Sequence, residues 1–185
     1  MTVYGKDRFY IYGIEKILNQ LYLERGGGSR ATPSCIYVTS GMDIVEIYAL
    51  YFSHPPVHHA IFITDERHFD AINRLFPGLI KLSLAENLGV EELRQALTIM
   101  TLLAEQNQRA GYRAAPFKFT AAEQQIMRLL LRGHSLEEIA RIRGVSPTTV
   151  SVQRNSLMKR TGTKSLLELC SLYSAMRVGQ RHANT

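Results

Sequence analysis

The sequence predicts two domains of different class. Residues 1–105 read as an α/β layer domain, residues 117–185 as an all-α four-helix domain, and residues 106–116 as the linker between them. Three observations carry this reading. Strand-like apolar runs alternate with helix-spaced segments in the first part. Four helices with local start or stop signals follow one another in the second. Charge and tyrosine content also change sharply at the boundary. Residues 1–115 hold 11 Lys+Arg against 12 Asp+Glu, net −1, whereas residues 116–185 hold 11 against 4, net +7. Eight of the nine tyrosines lie before residue 116. A basic domain attached to a neutral one points to a polyanionic partner at one end only.

The 185 residues suffice for two small domains, and 45 % hydrophobic with 21 % charged residues is a globular composition. No apolar run approaches the roughly 18 residues that span a bilayer. Lys6, Asp7 and Arg8 precede any apolar segment, so the start does not read as a signal peptide and a cytoplasmic protein without membrane association is expected. Cys35 and Cys170 are too far apart for a metal motif or a disulfide framework and read as buried thiols. Gly26–Gly27–Gly28–Ser29 lacks the Lys-Ser/Thr ending of a phosphate-binding loop. No nucleophile–base pair or metal cluster occurs at a workable spacing, so neither an enzyme nor a cofactor is expected.

In the C-terminal part, Thr120 with Glu123 forms a capping box that starts a helix bearing Ile126, Met127, Leu129, Leu130 and Leu131, and Gly133 stops it. Ser135 with Glu138 starts a second helix. There Leu136, Ile139 and Ala140 share one face, and Gly144 ends it, with Val145 plugging the turn. Ser146–Pro147 opens the third, a favoured cap followed by a residue whose missing N–H has no helical partner to lose. Val150 and Leu157, seven apart, point inward. Thr148, Ser151, Val152, Asn155 and Lys159 occupy the other face, with Arg154 and Arg160 on its flanks. No acid occurs from Ser146 to Lys164. A helix without acids suits a phosphate-lined groove, where Lys and Arg meet phosphates while Asn, Ser, Thr and a small apolar group reach base edges. Two short helices around a Gly turn, the second opened by Ser-Pro, make a helix-turn-helix. A fourth helix follows Gly162. Leu166, Leu167, Leu169, Cys170, Leu172, Tyr173 and Met176 give it more apolar surface than one core-facing stripe needs, so it serves either a second buried face or the small core alone.

Phe119-Thr-x-x-Glu123, Gly133-x-x-x-x-Glu138-Ile139-Ala140, Gly144-Val145-Ser146-x-x-Thr149-Val150 and Arg154…Lys159-x-x-Gly162 resemble the LuxR/FixJ-type helix-turn-helix over about 60 residues. The resemblance implies a domain that binds double-stranded DNA as a dimer, its third helix in the major groove and its fourth at the dimer contact. By position it implies Ser151, Val152 and Asn155 at bases, Lys159 at the backbone or groove edge, and Thr148, Thr149 and Arg154 near phosphates. Ser146, Arg160 and Lys164 complete the candidate DNA-contacting set, with Arg160 expected to carry sequence-independent affinity. Leu166, Leu169, Cys170 and Tyr173 are the candidate dimer residues. Two positions depart from the pattern: Gln153 stands where most members have His, resembling the Rcs-type branch, and Thr161 stands where a core Leu is usual.

In the N-terminal part, Cys35–Thr39, Ala60–Thr64 and Leu79–Leu82 read as strands, and Phe9–Leu23, Asp43–Phe52, Arg67–Phe76 and Val90–Leu103 as helices around a parallel sheet. This resembles the receiver domain that commonly precedes such a DNA-binding domain, with Asp7 to Leu18 similar to its first helix in the Rcs-type branch. Phosphoryl acceptance requires an acidic pair after the first strand, an Asp ending the third and a Lys after the fifth. Here Cys35–Thr39 runs into Ser40 and Gly41, no acidic pair precedes the first helix, and Lys81 lies within the last strand. Asp43 and Asp65 read as helix caps or solvated carboxylates. The stretch from Leu23 to Cys35 is too short for a full strand–helix unit. The expectation is a truncated, phosphorylation-independent receiver-like domain used for dimerisation or partner binding. His54, His58 and His59 read as a surface loop rather than a metal site, and Tyr48, Tyr51, Phe52, Phe62, Phe69 and Phe76 as core and interface.

The function expected is that of a sequence-specific transcription regulator that binds DNA as a dimer, either with itself or with a related regulator, with RNA polymerase as a further partner. Two alternatives stand beside it: an auxiliary regulator acting by heterodimerisation with a related response regulator, and a small-molecule sensor.

Overall fold

The computed structural model describes residues 1–24, 34–56, 59–76, 80–106 and 117–182. The glycine-rich loop, His58 and residues 107–116 of the expected linker lie outside them. The chain forms two compact units, Met1–Phe69 with Pro77–Ala115, and Asp70–Phe76 with Pro116–Thr185.

The α/β part contains β1 (Thr2–Gly5), α1 (Arg8–Glu24), β2 (Ser34–Val38), α2 (Ile44–Ser53), β3 (His59–Thr64), a 3-10 turn (Glu66–His68) leading into α3 (Phe69–Leu75), β4 (Ile80–Ala85) and α4 (Val90–Gln106). All four strands are parallel, in the order β1-β2-β3-β4. Every residue of β2 and β3 is buried, which is why both read as continuous apolar runs rather than alternating ones. Strand β1 escaped the sequence reading: although Thr2, Val3 and Tyr4 all carry strand preference, it has only four residues, too short a run to stand out. It lies so close to β2 that a Cβ on Gly5 would stand 2.6 Å from the Val38 carbonyl oxygen, so only glycine fits. Asp43 caps α2 in a reciprocal box with Glu46, and Asp65 caps the 3-10 turn through the Arg67 N–H at 2.9 Å.

The sheet's two faces are covered by different helices. Ile36, Val38, Ile61 and Ile63 pack with Ile14 of α1 and with Leu93, Leu97 and Met100 of α4. Tyr37 and Phe62 point the other way and stack at 5.0 Å, and Tyr51 of α2 meets Tyr37 at 6.0 Å. The strand order advances steadily while α1 and α2 cover opposite faces, so the crossovers through α1 and α2 must have opposite hands. A left-handed crossover is rare.

Of the histidines expected in a surface loop, His59 departs: it opens β3 and is buried. His54 is exposed just after α2, where its ring stacks on Tyr4 at 4.1 Å and its carbonyl accepts from the Tyr37 hydroxyl at 2.6 Å. Desolvation by burial pushes the Tyr37 phenol far above its ordinary range, so it stays a donor. Phe62 and Tyr48 are core residues and Phe52 is partly exposed.

The helical part contains α5 (Ala121–Leu131), α6 (Leu136–Arg143), α7 (Pro147–Thr161) and α8 (Leu166–His182). Thr120–Glu123 and Ser135–Glu138 form reciprocal capping boxes, and the Ser146 hydroxyl accepts from the Thr149 N–H ahead of Pro147. The backbone bond at Ser135 holds the Glu138 carboxyl below the usual carboxylate range. Gly144 and Gly162 end α6 and α7 at φ 65° and 74°, where an L side chain would be strained. Ile126, Leu129, Ile139, Ala140 and Val150 form the core, with Leu130, Leu136 and Val145 packed against it. Thr161 replaces a core leucine without orphaning its hydroxyl, which donates to the Leu157 carbonyl at 2.9 Å and lies 3.1 Å from the Thr163 hydroxyl.

Candidate nucleic-acid interface

Helix α7 has an unusually plain division of labour. Val150, Leu157 and Thr161 are buried. Opposite them Thr148, Val152, Asn155 and Lys159 form an exposed row at spacings of four, three and four, which is one face of a helix. Val152 is 62 % exposed, a large share for a valine with an apolar core available one half-turn away. Ser156, exposed beside this row, was missed from sequence because serine carries no signal of its own. Ser151 and Arg154 are partly covered at its edge, while Ser146, Thr149 and Lys164 are exposed near the two ends of α7.

Two polar contacts set the orientation of this face. Arg143 of α6 donates to Gln153 Oε1 at 2.6 Å, tying together the two helices of the motif. Arg154 donates through Nε and Nη2 to Asn155 Oδ1 at 3.3 and 3.1 Å.

Arg160 differs from the expectation of a phosphate contact. Its Nη2 pairs with Glu123 at 2.7 Å, and its guanidinium lies over the Phe117 ring at 4.9 Å. With Glu123 mostly covered, this pair holds the start of α5 to the end of α7. The sequence placed Arg160 on a flank and gave no sign that the capping glutamate of another helix would take it.

The candidate dimer residues divide likewise. Leu169 and Tyr173 are buried in their own domain, Tyr173 meeting Phe119 edge to face at 4.9 Å. They face inward because Leu169, Leu172, Tyr173 and Met176 recur at three- and four-residue spacing. Leu166 and Leu167 are exposed, Cys170 is partly so, and Val178 is 56 % exposed further along α8. Burial raises the Cys170 thiol, which disfavours its reactive thiolate.

At the carboxyl ends of the strands, the residues following β1, β2, β3 and β4 begin with Lys6, Thr39, Asp65 and Glu86. Lys6 forms an ion pair with Glu46 of α2, and the Tyr10 hydroxyl donates to the Glu86 carbonyl at 3.2 Å. The Thr39 hydroxyl, just past β2, donates to the Ile63 carbonyl at 3.2 Å. Among the described residues no cluster of His, Cys, Asp and Glu is placed to hold a metal ion, and no helix is long and apolar enough to cross a membrane.

The model of the luxR family of bacterial regulatory proteins matches residues 118–173, which span all of α5, α6 and α7 and the first half of α8. Residues 118–173 are a luxR-family helix-turn-helix domain. Among solved structures, the chain is similar to the two-component response regulator RcsB in complex with DNA, at 18 % identity over 94 % of this chain and 97 % of that one, TM-score 0.51. RcsB from Salmonella enterica serovar Typhimurium bound to promoter rprA matches at 17 % identity over 95 % and 98 %, TM-score 0.49. Full-length FixJ from B. japonicum matches at 18 % identity over 96 % and 97 %, TM-score 0.37. No curated protein sequence matches the chain. The first of these likenesses establishes the fold: a receiver-like α/β domain followed by a luxR-type domain.

Proposed function

We propose that this protein is a sequence-specific transcription regulator whose luxR-type domain enters the major groove with α7, acts as a dimer, and works without phosphorylation of its receiver-like domain. The observation that carries the reading is the outward row Thr148, Val152, Asn155 and Lys159 on a helix free of acids, in a domain with a net charge of +7 over residues 116–185. Its members divide by chemistry. Val152 and Asn155 suit base edges, Ser151 and Ser156 border them, and Lys159, Lys164, Thr148, Thr149 and Ser146 suit the backbone. Arg154 acts at the edge of this face through Asn155. On α8, Leu166, Leu167 and Cys170 are the residues free to meet a second copy.

Phosphorylation independence is argued from the strand ends, where β2 runs into Thr39, Ser40 and Gly41 rather than an acidic residue and Lys6 is engaged by Glu46. Retention of genomic DNA fragments by the full-length protein, followed by sequencing, tests the whole reading. The expected result is an enriched motif with two symmetric half-sites, unchanged by beryllofluoride or acetyl phosphate. Retention without a motif, or a motif that appears only with a second regulator present, would favour an auxiliary, heterodimerising role.

A further inference from the structure

We infer that the recognition face reads the keto bases, guanine and thymine, and discriminates against adenine, because the Asn155 amide oxygen is already occupied. This rests on the DNA-binding reading above and specifies the class of operator it takes.

An arginine only donates, so an amide bonded to one must turn its oxygen toward it and leave its NH2 facing out. Asn155 Oδ1 accepts from both Nε and Nη2 of Arg154, at 3.3 and 3.1 Å, which fills both lone pairs of that oxygen. Gln153 Oε1 accepts from Arg143 at 2.6 Å, which uses one of its two lone pairs and turns it toward α6. The usual reading of adenine by asparagine needs the oxygen to accept from N6 while the nitrogen donates to N7. Asn155 in this arrangement can make only the second of those bonds. Guanine, with N7 and O6 both acceptors, takes two donors; thymine O4 and adenine N7 each take one, but adenine also leaves its N6 amine facing the outward NH2 with no amide acceptor.

The rest of the face agrees. Lys159 only donates. Val152, one turn before Ser156 and exposed between Thr148 and Asn155, offers an apolar contact that fits the thymine methyl. No carboxylate from Ser146 to Lys164 is available to accept from the cytosine N4 amine. The acceptors left exposed or half-exposed are the hydroxyls of Thr148, Ser151 and Ser156, which also donate and so do not oppose the preference. In this arrangement Arg154 is a positioning residue. It sets the chemical sense of Asn155, and its loss restores the acceptor.

The test is selection of bound duplexes from a pool with a randomised core, using the full-length protein and the variants N155A, R154M and R154Q. N155A identifies the base position that Asn155 reads by erasing its preference. In the wild type that position is expected to be guanine or thymine. In R154M and R154Q it is expected to shift toward adenine by about tenfold in relative enrichment, the size of one good two-bond base contact. Relative enrichment within a motif is insensitive to uniform loss of affinity, and circular dichroism shows whether each variant is folded. R154Q supplies the same readout should R154M fail to fold. Adenine at the Asn155-dependent position in the wild type, or an unchanged preference in the folded Arg154 variant, overturns the inference while leaving the DNA-binding reading intact. A wild-type protein that enriches no motif removes both.

Discussion

The two units spend their polar residues in opposite ways. In the α/β unit, β2 and β3 are buried along their whole length and the sheet is lined by isoleucine, valine and aromatic rings, while acids and bases balance. In the luxR-type unit a small core of Ile126, Leu129, Ile139, Ala140 and Val150 supports a helix whose outward side is polar, basic and free of acids. A face kept exposed and free of acids is available to a ligand, whereas a sheet buried on both sides is committed to holding itself together. The difference teaches where function is placed: on α7 the exposed valine and lysine are unspent, and nearby arginines are spent on orienting or bracing it.

The largest expected effects test the cores separately. Leu157→Ala, at a fully buried position of α7, is expected to destabilise the luxR-type unit by about 2–5 kcal/mol, and Ile61→Ala to do the same to the α/β unit. Urea unfolding followed by probes in each unit should show one transition moving in each variant. Both transitions moving together would break the picture of two separately stabilised units.

Next in size are changes on the exposed face. Asn155→Ala is expected to cost about 1–3 kcal/mol of binding to the selected operator and little on random DNA. Lys159→Ala is expected to weaken both about equally and to reduce the slope of log affinity against log salt by about 1. Salt-dependent binding titrations on both kinds of DNA separate the two.

Arg160→Ala sharpens the contrast between spent and unspent arginines. A loss of about 1–2 kcal/mol in stability is expected, between the limits for exposed and buried ion pairs, with the salt slope unchanged. A reduced slope with unchanged stability would return Arg160 to the DNA-contacting set. Thermal melts beside the same titrations decide it.

The smallest effect belongs to the α/β unit. The hydrogen bond from Lys6 holds the Glu46 carboxyl below the usual carboxylate range, and the Asp43 N–H adds to it. A depressed folded-state value stabilises the protein above the unfolded value, near pH 4.3, and is lost as pH falls through the folded one. The pair is largely solvent-exposed, so Glu46→Gln is expected to cost only a few tenths of a kcal/mol at pH 7 and less at pH 3. The difference in melting temperature between wild type and variant across that range measures it.

Much of the helical unit could be read from its residues, because its signals are local. Capping pairs three residues apart, a glycine at each left-handed stop and Ser-Pro at a helix start act within one turn of the chain, so Thr120–Glu123, Ser135–Glu138, Gly144 and Ser146–Pro147 announced α5, α6 and α7. The exposed row on α7 followed from helical spacing alone. The strands β2 and β3 were legible as apolar runs, but β1 was not, since four residues are held there by pairing with β2 rather than by their own preference.

Composition and spacing determined that a neutral α/β domain precedes a basic helix-turn-helix, and that one side of α7 is free of acids. Folding in three dimensions decided which polar groups remain available. Whether Arg160 meets a phosphate or Glu123, whether Tyr173 faces a partner or Phe119, and whether Gln153 keeps its oxygen or gives it to Arg143 depend on residues 37, 54 and 10 positions away. Periodicity carries information over a few turns of one helix, and these contacts are made between helices, where only packing brings the partners together.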